Sequence, residues 1–257
     1  MYLTTKGLVL RVTVYNDTDA LLTLLTPEYG KLTVKARGLR RKNSPLTAPC
    51  QLLAFGEFTL FEYRSMYTIN EAHSVELFTA LRRDLQKLSL GTYFAQAAEL
   101  LSQEDLPNPE LLSLVLNSLY ALSRLDVPEM QVKAVFELRS ACIAGYAPDL
   151  YGCHQCGNPF PDRFDLSEGR LECACCRDPL SKGIRLPITA SMLETMHYIT
   201  TCDAKKIFCF EAGEGTLEQL STVTESYLTT QLERGFSTLD FYKSLLISSE
   251  ITGEHHD

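Results

Sequence analysis

The stretch GLVLRVTVYNDTDALLTLLTPEYGKLTVKAR, residues 7–37, decides the fold of the first part of the chain. Apolar residues recur at every second position in three runs, which is typical of half-buried β-strands. In the first run four residues are expected to share one side: Leu8, Leu10, Val12 and Val14. The clusters YNDTD (15–19) and PEYG (27–30) separate the runs and predict turns.

The third run, KLTVKAR (31–37), places apolar and basic residues on opposite faces. Its alternation predicts that Leu32, Val34 and Ala36 face the core. The opposite face and the loop that follows carry the candidate DNA-binding residues of this chain: Lys31, Lys35, Arg37, Arg40, Arg41 and Lys42.

Two more strands are predicted before residue 78, in QLLAFGEFTLFEY (51–63) and MYTINEAH (66–73). Gly56 inside the first of them indicates a bulge or a tight bend. Five strands in so short a segment favour a small closed barrel, of which the OB-fold is the commonest five-stranded case. We therefore expect an OB-fold domain over residues 1–78.

After residue 78 the apolar spacing becomes helical, so the chain is predicted to be an α+β multidomain protein. Breaks at Pro and Gly separate several helices. We expect an α-helical domain formed by residues 79–150 and 180–250, with an inserted element over residues 151–179.

The insert holds five of the nine cysteines of the chain, in CHQCGNPFPDRFDLSEGRLECACC (153–176). Cys153 and Cys156 form one CxxC pair, and Cys173 and Cys176 form a second, a spacing typical of a structural zinc site. The intervening RFDLSEGRLE predicts a hairpin that returns the second pair to the first. Cys175 is an alternative fourth ligand, and Cys176 is preferred because it repeats the first spacing.

The cysteines allow two other interpretations. One is a reduced, metal-free cluster. The other is a thioredoxin-type redox pair, which requires a CxxC at the start of a helix in a βαβ unit, and no such unit is apparent. A site with four thiolate ligands has no open coordination position, so one structural Zn²⁺ per chain is expected and catalysis by the metal is not.

Charge is distributed unevenly along the chain. The net charge is -8, yet residues 1–80 carry nine Lys or Arg against seven Asp or Glu, while the remainder carries 15 against 25. The excess of positive charge lies in KARGLRRK (35–42), which indicates an anion-binding face. The alternative is an edge strand that lysines protect from pairing. Seven tyrosine and phenylalanine residues of the same domain are available for base stacking, of which we expect one or two to be used: Tyr15, Tyr29, Phe55, Phe58, Phe61, Tyr63 and Tyr67.

No catalytic residues are predicted, because Walker A, GxGxxG, HExxH and GxSxG motifs are all missing from the sequence. No signal peptide and no apolar run of membrane-spanning length are present, so a cytoplasmic protein is expected.

The order of these parts resembles the RecO family of bacterial DNA repair and recombination mediators. The most specific matches are TKGLVLRVTVYNDTDALLTLLTPEYGKLTVKARGLRR (5–41) and FELRSACIAGYAPDLYGCHQCG (136–157). The CACC doublet at residues 173–176 is a small departure from the family pattern.

The resemblance implies more than the residues show. Members of this family bind single- and double-stranded DNA and anneal complementary strands. They work with RecR and in some bacteria RecF, contact the tail of single-stranded DNA-binding protein (SSB), and help load RecA. An apolar groove of the helical domain would receive the tail, with Lys133 and Arg139 as candidate basic contacts. The alternative function is a zinc-containing protein adaptor that does not bind DNA.

Overall fold

A computed structural model of the chain describes residues 1–176 and 183–253. These residues divide into two compact units. The first contains Met1–Leu125 and the chain from Phe236 onward, and the second contains Asp126–Gly235. The end of the predicted insert, 177–179, and the start of the second part of the predicted helical domain, 180–182, lie outside the described residues.

The first five strands form a closed barrel. They are β1 (Tyr2–Val14), β2 (Ala20–Thr26), β3 (Gly30–Ala36), β4 (Phe55–Tyr63) and β5 (Met66–Glu76). The barrel closes in the order β1-β2-β3-β5-β4. All neighbours are antiparallel except β3 and β5, which pair in parallel. Its core contains Leu22, Leu24, Val34, Phe58 and Leu60 among others. The predicted barrel with an OB-fold is confirmed.

Strand β1 departs from the predicted alternation. Its pairing with β2 shifts register between Val9 and Arg11, so the inward side changes at this bulge. Val9 lies in the barrel core, while Val14 is 63% exposed. Leu8 and Leu10 are also buried, and helix α1 (Leu85–Leu101) packs on this strand. Because β1 is buried on both faces before the bulge and exposed after it, the predicted alternation with a period of two does not hold along this strand.

Gly56 has the role that its position predicted. The pairing of β4 with β5 shifts register between Phe55 and Gly56. A Cβ atom at residue 56 would lie 2.7 Å from the carbonyl oxygen of His73, closer than real side chains come to a backbone atom. The bend is therefore available only to glycine.

Five more helices follow α1: α2 (Pro109–Arg124), α3 (Glu129–Ile143), α4 (Ala190–Thr201), α5 (Glu214–Gln231) and α6 (Ser237–Gly253). Side-chain caps start three of the six. Asp84 accepts from the Lys87 N–H, Asn108 from that of Leu111, and Thr189 from that of Met192. In the first unit α1 packs on β1 and α6 packs on α1, and in the second α3 packs on α4 and α5. The helices predicted as one domain are thus distributed over both units, because α1 joins its neighbours to the barrel.

The second unit also contains a small sheet. Its strands are β6 (Asp149–Cys153), β7 (Arg163–Asp165), β8 (Arg170–Glu172) and β9 (Arg185–Pro187), in the order β6-β8-β7-β9. Strands β7 and β8 are the two arms of the predicted hairpin. Within the described part of the chain, no helix combines the length and hydropathy needed to cross a lipid bilayer.

Candidate metal centre and nucleic-acid interface

Four cysteine sulfurs converge in the second unit. Cys153 ends β6 and Cys173 directly follows β8, and these strands are neighbours in the sheet. The Sγ atoms of Cys153, Cys156, Cys173 and Cys176 all lie within 4.8 Å of one another. The sulfurs of Cys156 and Cys173 are 3.6 Å apart. A tetrahedral ion with metal–sulfur distances of about 2.3 Å separates its ligands by about 3.8 Å, so these four residues can hold a metal ion.

The backbone around Cys153 prepares its sulfur for an ion. Burial acts to raise the pKa of the Cys153 thiol, but N–H groups of Cys156, Gln155 and Cys173 donate to it, and the pKa falls to about 6. The turn is closed by the N–H of Gly157, which donates to the Cys153 carbonyl at 2.8 Å. Gly157 adopts a φ of 71°, which glycine allows without strain.

The fourth member of the group is Cys176, as the spacing of the first pair suggested. Cys175 is exposed and lies outside the group of four. The N–H of Cys176 donates to the carbonyl of Cys173 at 3.0 Å and closes the second turn, three residues apart where the first turn is closed over four. Of the two candidates in CACC, only Cys176 is therefore placed to complete a tetrahedral set.

The cysteine hairpin is held by a buried ion cluster that the sequence did not reveal. Arg185 on β9 bonds to Glu172 through two guanidinium nitrogens and lies 3.4 Å from an oxygen of Asp165. Both carboxylates are buried. At the turn, Gly169 (φ 64°) passes directly under the Tyr227 hydroxyl, so a side chain there would collide with it.

The six candidate DNA-binding residues fall into two groups. Arg37, Arg40, Arg41 and Lys42 lie in the loop that follows β3, and their side chains are exposed. We call residues 37–42 the basic loop. Among the residues that the structure describes, no carboxylate forms a salt bridge with any of these four side chains. No carboxylate of the described structure therefore neutralises their charges.

Lys31 and Lys35 have partners within the protein. Lys31 Nζ donates to the carbonyl of Glu99 at 3.1 Å and so caps the last turn of α1. Lys35 Nζ lies 3.3 Å from the Asp19 carboxylate and 4.4 Å from the centroid of the Tyr15 ring. These contacts leave the two lysines less available to an external phosphate than the basic loop is.

Asp19 shapes the basic loop, a role that the sequence did not predict directly. Its carboxylate accepts from the Gly38 N–H at 2.9 Å, and this bond is the main reason that its pKa lies far below the ordinary value. The same carboxylate accepts from the hydroxyl of Thr18 at 3.0 Å. Arg40 adds two bonds to the turn between β1 and β2: its N–H donates to Thr18 O and its guanidinium to Asn16 O. The turn therefore anchors the loop, and the cluster YNDTD was the available signal.

The seven aromatic candidates differ in exposure. Phe58 is in the barrel core, and Phe55 and Tyr67 are half-buried. Four present a substantial part of their surface to solvent: Tyr15, Tyr29, Phe61 and Tyr63. Tyr15 is the one in contact with a candidate basic residue.

The two candidate basic contacts on α3 are engaged internally. Lys133 is 4% exposed and bonds to Glu137 and Glu225 at 3.0 and 2.8 Å. Burial acts to lower its pKa, but the two glutamates outweigh burial and raise it. Arg139 donates to the carbonyls of Thr200 and Cys202. The expectation that Lys133 contacts a partner is therefore wrong, because its ammonium joins α3 to α5.

Comparisons with known proteins identify the family of this chain. Residues 1–78 match the family described as "Recombination protein O N terminal", and residues 82–240 match "Recombination protein O C terminal". This chain belongs to the RecO family. A DNA repair protein RecO from Acetivibrio thermocellus is 34% identical over 246 residues, which cover 95% of this chain and 97% of that protein. The RecO protein of Alkaliphilus metalliredigens is 30% identical over 95% of this chain and its own full length.

Proposed function

We propose that this protein is a DNA-binding mediator of recombinational repair. It binds single- and double-stranded DNA and anneals complementary strands without turnover chemistry. With RecR, and in some bacteria RecF, it helps load RecA onto single strands coated by SSB in the bacterial cytoplasm, at the nucleoid. The observation that carries the proposal is the anchored, solvent-facing basic loop on an OB-fold barrel, in a chain whose net charge is -8.

The basic loop supplies the affinity for DNA. Each exposed guanidinium or ammonium group neutralises a backbone phosphate and releases counterions, which favours binding without reading the sequence. The bonds of Asp19 and Arg40 hold the loop before DNA arrives, so less conformational entropy is lost on binding. Two strands whose phosphates are neutralised repel one another less, so complementary bases can meet. The acidity of the remaining chain limits indiscriminate coating of DNA.

We propose that the four-cysteine group holds Zn²⁺ with a structural role. Thiolate ligands in a CxxC pairing select zinc, and four of them leave no position for water or substrate. The strands of this sheet are three to five residues long, so the ion would add stability to a segment with few strand hydrogen bonds of its own. The backbone bonds to the Cys153 sulfur support this assignment.

For the SSB tail we propose the cleft between α1 and α6. It has a volume of about 260 Å³ and is lined by Leu85, Leu88, Thr92, Ser237 and Phe241 among others. The exposed Leu85 and Phe241 offer apolar contacts to the hydrophobic end of the tail.

Direct DNA binding separates the mediator from the adaptor. Fluorescence anisotropy of a labelled single strand and of the matching duplex is measured with the full-length protein at low and at moderate salt. The mediator predicts binding to both DNAs, with affinity that falls as salt rises. If neither DNA binds at low salt, the protein is an adaptor and the basic loop serves only solubility.

A further inference from the structure

Two exposed tyrosines of the described barrel have a cation over the ring, Tyr63 with Arg64 and Tyr15 with Lys35. Tyr15 differs in that its lysine is also paired with a carboxylate. It lies directly after β1, and 57% of the residue is exposed. The Lys35 ammonium lies 4.4 Å from the centroid of its ring. The same ammonium is 3.3 Å from the Asp19 carboxylate. The ring is thus supported on one face by a lysine that is itself fixed in place.

This arrangement leaves the opposite face of the ring for a ligand. The ammonium lies over one face and 57% of the residue is exposed, so we infer that the other face is the one available to a ligand. Asp19 neutralises Lys35, so this lysine acts as a support for the ring instead of a phosphate contact. One residue further along the chain, the carbonyl of Asn16 accepts from the Arg40 guanidinium at 2.8 Å. The open ring face therefore lies beside the charges of the basic loop.

We propose that Tyr15 is a stacking platform for one unpaired nucleobase, whose neighbouring phosphates are held by the basic loop. The inference rests on the proposed DNA-binding function and adds the chemical group that the site recognises. An aromatic face accepts any of the four bases, because every base presents a flat π-surface. Stacking therefore strengthens binding without adding a preference for sequence.

The platform also makes the site selective for single strands. In a duplex both faces of each base are occupied by its neighbours, so a base reaches Tyr15 only after the stack opens. Phosphates remain accessible in both forms. We therefore expect the basic loop to serve both DNAs and Tyr15 to serve single-stranded DNA alone.

The chain contains no tryptophan, so a substitution at this position creates a single fluorescent reporter. Tyr15→Trp keeps an aromatic face at a solvent-exposed turn. Its matched control is Tyr120→Trp, on α2 in the same unit, where 51% of the tyrosine is exposed. Both variants are titrated with an unlabelled single strand and with duplex, while anisotropy of labelled DNA monitors binding in parallel.

The proposal predicts that the single strand quenches the fluorescence of Tyr15→Trp, and that duplex binds with much weaker quenching. The control should bind DNA without quenching. If anisotropy shows binding but Tyr15→Trp is not quenched, the platform is refuted and the DNA-binding function stands. If wild-type protein shows no binding at all, the proposed function fails and the platform fails with it.

Truncation of the ring gives a second, independent readout. Stacking on an aromatic side chain contributes enough that Tyr15→Ala should weaken single-strand binding by about 5-fold or more. Tyr15→Phe keeps the ring and should bind like wild type. Duplex affinity should change less than about 2-fold in either variant, since phosphate contacts dominate there. Equal losses for single strand and duplex in Tyr15→Ala would contradict a stacking role.

Discussion

Removal of three charges from the basic loop should change how DNA binding responds to salt. The perturbation is Arg37→Ala, Arg41→Ala and Lys42→Ala in one protein. All three side chains are exposed, and none forms an ion pair with a carboxylate in the described structure. Arg40 is left in place because its guanidinium anchors the loop to the carbonyl of Asn16.

The size of the effect follows from the number of phosphates lost. Each phosphate contact on a single strand contributes about 0.7 to the slope of log K against log salt, so three contacts contribute about 2. Over a fourfold rise in salt, from about 50 to about 200 mM, that slope corresponds to roughly a 20-fold loss of affinity. The triple variant should lose less affinity than wild type over this range, by that factor.

The assay is anisotropy of a labelled single strand at several salt concentrations. Lys31→Met is the matched control, since it removes one charge from β3, the strand before the basic loop, at a residue that caps α1 through the Glu99 carbonyl. Its slope should equal that of wild type. Two results would refute the assignment of the phosphate contacts to the basic loop. One is an unchanged salt slope in the triple variant, and the other is a slope reduced by a full contact in Lys31→Met.

Three further predictions concern the metal, the buried ion pairs of Lys133 and alkaline pH. Wild type should contain one zinc per chain by elemental analysis. Cys156→Ser should lose the metal and melt at a lower temperature, while Cys175→Ser should keep the metal and the wild-type melting temperature. Equal behaviour of the two variants would argue against the ligand assignment. Lys133→Met leaves Glu137 and Glu225 without their cation and should lower the free energy of unfolding by about 3 kcal/mol or more. A change below about 0.5 kcal/mol in chemical denaturation would be inconsistent with buried ion pairs at Lys133. Burial raises the pKa of the Cys50 thiol from 9.0 to about 12, so this thiol ionises first in the unfolded chain. The free energy of unfolding should therefore fall as pH rises from 9 towards 12, and Cys50→Ala should make this decline shallower. An identical decline in the variant would count against a buried thiol at this position.

The sequence was sufficient where a local pattern determines a contact. The alternation of KLTVKAR correctly assigned the inward residues of β3, and the two CxxC pairs correctly located four converging sulfurs. Gly56 was recognised as a bulge for the same reason, since only the backbone at that residue decides whether a side chain fits. Each of these predictions depends on neighbours that are close in the chain or on a geometric requirement of the residue type.

Features that depend on distant partners could not be predicted. Lys31 resembles Lys35 in the sequence, but it bonds to a carbonyl 68 residues away, at the end of α1. Leu8 and Leu10 are buried on a strand against which the same helix packs, so three successive apolar residues conceal the bulge in β1. Lys133 meets Glu225 across two helices, so a basic residue that looked available to a partner is internal. In each case tertiary packing assigned the side chain a role that its own segment does not encode.

The proposed function requires that this chain bring complementary strands together, and an annealing assay measures that ability. Two complementary, dye-labelled single strands are mixed with the full-length protein, first bare and then coated with SSB, and pairing is followed by energy transfer. The proposed function predicts faster annealing in both cases, and loss of the acceleration in the triple variant of the basic loop. Annealing no faster than in the absence of protein, on bare and coated strands alike, would contradict it.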